Sequence, residues 1–186
     1  MSTGRQWGLV AVIVLVLAAG LGVGVRMSGG AVAQVRVGSP TPPFVAATLD
    51  GTARTRTIAD YEGEVVLINL WATWCGPCVI EMPSIQRLYD RYRDAGFKVV
   101  AVAVDDPGNE QRILDFVAEH RLTFEVLHEG SGRIEQQFQT QGIPATFLVG
   151  RDGRIRKFSL GAADWDSPAN RAVVAQLLGV QATATP

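Results

Sequence analysis

Apolar residues along this chain fall in short continuous runs separated by amphipathic stretches, the pattern of strands alternating with helices. Val65-Val66-Leu67-Ile68-Asn69-Leu70 is rich in β-branched side chains and predicts a buried parallel strand. The period then changes: Met82 through Asp94 carry helical spacing in Ile85, Leu88, Tyr89 and Tyr92 and predict a helix. Further on, Val99 to Val104 reads as a strand, Gln111 to His120 as a helix and Phe124 to Leu127 as a strand. Thr146 to Val149 and Ile155 to Leu160 flank Asp152-Gly153, a hairpin signal; Arg151 and Arg154 beside that turn read as solvated. Arg133 to Phe138 predicts a short helix and Pro168 to Leu178 a terminal amphipathic one.

The start of the chain has a different pattern. Trp7 to Val25 is an uninterrupted apolar and glycine stretch, and as a helix it would span about 28 Å, close to the ~30 Å of a bilayer's hydrocarbon core. Arg5 precedes it and Arg26 comes after it. Ala31-Val32-Ala33 resembles a signal-peptidase site, but the apolar run exceeds the roughly 7 to 15 residues of a signal core and Ala33 lies well past its end. A retained single-pass anchor is therefore the expectation, with a cleaved signal as the alternative; both export the remainder of the chain. Residues 27–43, with Ser39-Pro40-Thr41-Pro42-Pro43, read as a flexible tether able to reach roughly 50 to 60 Å when extended. The predicted organisation is an anchor over 1–26, a tether over 27–43, a domain over 44–180 and an unstructured tail over 181–186.

With 47% hydrophobic and 19% charged residues, 186 residues suffice for one packed α/β domain plus this appendage. Residues 1–40 hold three basic side chains (Arg5, Arg26, Arg36) and no acidic one. The remainder carries 14 Lys and Arg against 18 Asp and Glu, which argues against nucleic-acid binding through a basic surface.

Both cysteines of the chain lie in Trp74-Cys75-Gly76-Pro77-Cys78, where the predicted strand hands over to the predicted helix. A C-x-x-C pair with no other cysteine to bond cannot brace distant loops, so chemistry is the better reading. Unpaired N–H groups and the dipole at a helix N-terminus stabilise a thiolate. Cys75, on the outer side of the turn, should thus have its pKa lowered into the range of roughly 3.5 to 7.5. Pro77 suits the first helical turn, and Cys78 falls inside it, placed to attack a sulfur bonded to Cys75.

W-C-G-P-C after an apolar strand, with Pro83 five residues beyond the second cysteine, resembles the thioredoxin superfamily. Gly142-Ile143-Pro144-Ala145-Thr146-Phe147-Leu148-Val149 is similar to the cis-proline segment that faces the disulfide in that superfamily. The strand, helix and strand between Val99 and Leu127 resemble the insertion of its TlpA/ResA-like extracytoplasmic branch. The resemblance spans roughly residues 40 to 178. It implies a thioredoxin-like fold: a central mixed sheet flanked by helices, with a βαβ-type insertion between the C-x-x-C helix and the cis-Pro segment.

Thioredoxin has a buried aspartate six positions before its first cysteine, where this chain has Asn69, which takes no proton. Glu81, one helical turn after Cys78, matches a glutamate of the TlpA/ResA-like branch and is expected to handle the proton of Cys78, its pKa raised by partial desolvation. Pro144 is implied to be cis, presenting the Ile143 backbone to an extended partner segment. Trp74, with Gly76 and Pro77, borders that site; Trp71 reads as core, and Trp165 and Phe158 as packing. His120 reads as the polar end of a helix. The eight-residue spacing from His120 to His128 does not fit a zinc pair, and no metal or cofactor is expected.

The resemblance implies a thiol-disulfide oxidoreductase that reduces disulfides of exported partner proteins. It also implies a membrane-borne thiol reductase as electron donor and apocytochrome c as a candidate substrate. Two other readings stay open. One is a thiol peroxidase of related fold, although Ala72-Thr73-Trp74 lacks the proline-and-threonine arrangement of such a site. The other is a peptide-binding module with a permanent disulfide.

Overall fold

The computed structural model describes residue 7 and residues 12–17, 34–52 and 54–181, which divide into two units between Ala33 and Gln34. Of the first, Trp7 and residues 12–17 are helical, with exposed apolar side chains. The rest of the expected anchor, and all of the expected tail but Gln181, lies outside the described residues. Among the described residues no helix is long and apolar enough to cross a membrane.

The second unit is a seven-stranded mixed sheet with helices on both faces. Its strands are β1 (Val45–Thr48), β2 (Thr55–Thr57), β3 (Val65–Trp71), β4 (Phe97–Ala103), β5 (Glu125–His128), β6 (Ala145–Val149) and β7 (Ile155–Leu160). Its helices are α1 (Gly76–Tyr92), α2 (Glu110–Glu119), α3 (Arg133–Gln137) and α4 (Pro168–Leu178). The strands lie in the order β2-β1-β5-β4-β3-β6-β7. β3 runs parallel to β4 and β4 to β5, whereas β6 pairs antiparallel with both β3 and β7. The β4-α2-β5 segment therefore adds a parallel strand between α1 and the Pro144 segment, as the family resemblance implies.

Every residue of β3 is buried, and the two-residue period of a strand sorts them between two cores. Val65, Leu67 and Trp71 pack with α1, α2 and α4 on one face. Val66, Ile68 and Leu70 pack with Phe44, Ile134, Phe138 and Phe147 on the other. By the same alternation Asn69, between Leu67 and Trp71, points towards α1. β6 continues the pattern, with Leu148 on the α1 face and Phe147 and Val149 on the opposite one. Thr146 thus shares a face with Leu148, and it stands opposite Asn69 in the β3–β6 register.

Helix α1 buries Cys78, Glu81, Met82, Ile85, Leu88 and Tyr92, a stripe at three- and four-residue spacing. It starts where Pro77 is expected to open it, with Cys75 as its cap and Cys78 inside its first turn. At the other end, α4 begins at Pro168 behind its Ser167 cap and stops at Gly179, whose φ of 74° closes the helix.

Two features depart from the expected pattern. Strands β1 and β2 are absent from the sequence reading; at four and three residues, with Arg56 in the shorter, they carry too little apolar alternation to signal themselves. The expected tether is also shortened. Gly38 N–H donates to Ile155 O at 2.7 Å, Ile155 N–H to Ser39 O at 3.0 Å and Thr41 N–H to Gly153 O at 2.9 Å, so residues 38–41 lie along the β6–β7 hairpin. Backbone groups of a proline-rich segment were free to pair there because the edge of β7 offered partners. Nor are the hairpin arginines merely solvated: Arg151 Nη1 donates to Gly63 O and Arg154 Nη1 to Gly38 O, each at 2.8 Å.

Candidate functional site

Where β3 ends, the chain makes one turn before α1, closed by Cys75 N–H donating to Ala72 O at 3.2 Å. Asp105, just past β4 and 1% exposed, holds this turn. Its carboxylate accepts the Thr73 N–H at 3.1 and 3.3 Å and the Thr73 hydroxyl at 2.5 Å. Its own carbonyl accepts from His128 Nε2 at 2.8 Å, and a Cβ at Gly130 would fall 2.6 Å from the same oxygen, so only glycine fits beneath it. Asp105→Ala leaves the Thr73 N–H without its acceptor, and a loss of about 1–3 kcal/mol in denaturant unfolding is expected.

The turn delivers two unlike sulfurs. Cys75 is the N-cap of α1, and its Sγ accepts the Cys78 N–H at 3.3 Å. Cys78 lies in the first turn and is fully buried, whereas Cys75 keeps 5% exposure. They form a disulfide with an S–S distance of 2.03 Å and Cα atoms 5.2 Å apart. A sulfur that accepts a backbone N–H at a helix N-terminus is stabilised as a thiolate by that donor and by the helix dipole.

Around the disulfide the surface is apolar. Trp74 is 61% exposed and Ile80 76%, with Gly76 and Pro77 also open to solvent. The Ile143-Pro144 peptide bond is cis; Ile143 is half-buried and Pro144 buried. A shallow cavity of about 260 Å³ lies between Ile80 and Ser84 of α1 and Ala162 to Asp164 after β7. A larger one of about 430 Å³ sits at the other end of β3 and β6, lined by Ile58, Tyr61, Val149 and Arg151, away from the sulfurs.

Behind Cys78, Glu81 is 1% exposed. Asn69 Nδ2 donates to its Oε1 at 2.8 Å, Thr146 Oγ1 to Oε1 at 2.9 Å and Ala163 N–H to Oε2 at 2.8 Å. Burial pushes the carboxyl above its ordinary range. The Ala163 N–H, the Thr146 hydroxyl, the Trp165 indole and the Asn69 amide oppose that rise without cancelling it. The Trp165 indole N–H is buried with no hydrogen-bond partner, so it acts on Glu81 through its dipole and not through a bond.

The structure thus gathers Trp74, Cys75, Gly76, Pro77, Cys78 and Glu81 on one turn and one helix. It places Trp71 and Trp165 in the core and Phe158 against Phe147, ring centroids 4.7 Å apart. His120 caps α2 and stacks on Phe116. Sequence reasoning passed over Asp105, Thr73, Ala163 and any role for Thr146. The available signals were an acidic residue ending the apolar run of β4 and single polar residues inside the apolar runs of β3 and β6.

A thioredoxin-like sheet carrying a C-x-x-C disulfide at the mouth of a helix defines the class: this is a thiol-disulfide oxidoreductase. Residues 37–158 match the AhpC/TSA family, and the chain belongs to it. Among curated relatives it is 35% identical over 133 residues to the thiol-disulfide oxidoreductase ResA of Oceanobacillus iheyensis, covering 70% of this chain and 68% of the relative. It is 34% identical over 127 residues to ResA of Geobacillus thermodenitrificans, covering 68% and 71%. Among solved structures, a protein of Chlorobium tepidum assigned as the thiol:disulfide interchange protein DsbE superposes with a TM-score of 0.70 at 27% identity, over 78% of this chain and all of that one. Of the readings the sequence leaves open, oxidoreductase is the one these relatives share.

Proposed function

We propose that this oxidoreductase reduces disulfides in partner proteins outside the cytoplasm, held at the cell membrane by residues 1–26. The observation that carries the roles is the inequality of the two sulfurs. Cys75 caps the helix at the solvent edge and is the attacking thiolate, while Cys78, sealed within the first turn, resolves. An extended partner segment lies along the Ile143 backbone beside cis-Pro144, between the apolar surfaces of Trp74, Gly76 and Pro77.

Cys75 thiolate attacks one sulfur of the partner's disulfide, forming a mixed disulfide and releasing the other sulfur as a thiolate. Cys78 then gives its proton to Glu81 and attacks Cys75 Sγ, displacing the partner sulfur that Cys75 had captured as the second thiolate. Two electrons pass to the partner, which leaves as a dithiol protonated from Glu81 and solvent. Cys75 and Cys78 remain as the disulfide described above. Since no glutathione pool restores thiols outside the cytoplasm, a membrane-borne thiol reductase supplies the electrons. The haem-attachment cysteines of apocytochrome c are the candidate substrate.

Equilibration with glutathione tests the direction. A potential on the reducing side of about −220 mV is expected, together with reduction of a C-x-x-C-H peptide supplied as its disulfide; a value near −120 mV would make the protein an oxidant.

A further inference from the structure

The hydrogens around Glu81 can be assigned from the chemistry of its partners. Asn69 Nδ2 only donates, and it stands 2.8 Å from Thr146 Oγ1 and 2.8 Å from Glu81 Oε1. Thr146 accepts from Asn69, so its single hydrogen turns to Oε1 at 2.9 Å. Oε1 therefore receives two donors, and Oε2 receives one, from Ala163 N–H. The other end of the Asn69 amide, Oδ1, is buried with no hydrogen-bond partner, so the carboxylate and the hydroxyl alone set which way the amide faces. A proton on Oε1 would meet two donors and would require the amide to turn over; a proton on Oε2 disturbs one.

We infer that Thr146, together with Asn69, is a positioning residue that reserves Oε1 of Glu81 as an acceptor and leaves Oε2 to carry the proton exchanged with Cys78. The inference rests on the role proposed for Glu81. The elements packed on that carboxylate supply Asn69 from β3, Thr146 from β6, and Ala163 and Trp165 from the β7–α4 connection. Its own helix supplies Cys78, one turn earlier. The largest influences on its proton affinity are burial and these neutral donors; Lys157 Nζ stands over the Trp165 ring, 5.7 Å from its centroid. The donors are therefore the means by which the fold offsets the burial of this group. Because Thr146, on β6, lies two residues after Pro144, the segment expected to meet the partner also fixes the carboxylate.

The test is an infrared titration of the protonated carboxyl band in the full chain, the band being identified by its loss in Glu81→Gln. Thr146→Val removes one donor to the charged form, so the midpoint rises by about one pH unit, while Thr146→Ser, which keeps the hydroxyl, stays near wild type. The acid limb of single-turnover peptide reduction should move by the same amount. A purely structural hydroxyl would lower stability and leave the midpoint in place, and that result overturns the inference. Thr146→Ala removes the same hydroxyl should valine prevent folding. If the midpoint moves but the rates of Thr146→Val and Glu81→Gln both keep the wild-type pH dependence, the carboxylate does not serve the sulfurs. That outcome overturns the role of Glu81 and with it the link from Thr146 to Cys78.

Discussion

Cys78→Ala is expected to abolish turnover while leaving Cys75 able to attack, so that a disulfide-bearing partner accumulates as a covalent adduct. The expectation comes from where the two sulfurs sit. Cys75 Sγ takes the N–H of residue 78, a backbone donor that alanine retains, so the thiolate keeps its stabilisation. What disappears is an attacking group held in the same helical turn. Intramolecular groups of this kind act at effective molarities of up to about 10⁵ M or more, which millimolar external thiol does not replace, and turnover should fall by at least about 10³-fold. Intact-mass analysis under non-reducing conditions reads the adduct. If Cys75→Ala formed it equally well, the attacking and resolving roles would have to be exchanged.

Glu81→Gln carries the second large effect, a slowing of partner reduction by about 10²-fold at neutral pH, the scale of a lost general base. The amide oxygen can take the place of Oε1 and accept from Asn69 and Thr146. The amide nitrogen then meets the Ala163 N–H, donor against donor, at a cost of about 1–3 kcal/mol. Stability should also change its dependence on pH. Burial raises the carboxyl in the folded protein, so the native state holds a proton that the unfolded chain, titrating near 4.3, has already released. Wild-type stability therefore declines as pH rises from about 4.3 through the raised folded value, and the glutamine variant loses that slope. Denaturant midpoints across a pH series measure it; a slope that persists in the variant belongs to another group.

Much of this arrangement is legible in the sequence because apolar runs and helical spacing report directly on burial. β3, β4, the β6–β7 hairpin and α4 lie within a residue or two of their predicted bounds. Cys75 and Cys78 are legible through their spacing, and Glu81 through the family resemblance. What the sequence hides is contact across the sheet. Asn69 and Thr146 are 77 positions apart and meet only because β3 and β6 pair in one register. Asp105 reaches Thr73 because β4 lies alongside β3. Short polar edge strands such as β2 escape for a different reason: their formation depends on the partner strand and not on their own composition.

The burial of β3 on both faces, with a hydrogen-bonded neighbour on either side, bears on how the molecule endures its own chemistry. Amides in such a strand open to deuterium only when the whole unit opens, whereas a turn at its end can fluctuate by itself. The sulfurs are suspended from a strand buried along its whole length, so each round of making and breaking their bond can relax the turn while the strand that carries it stays locked.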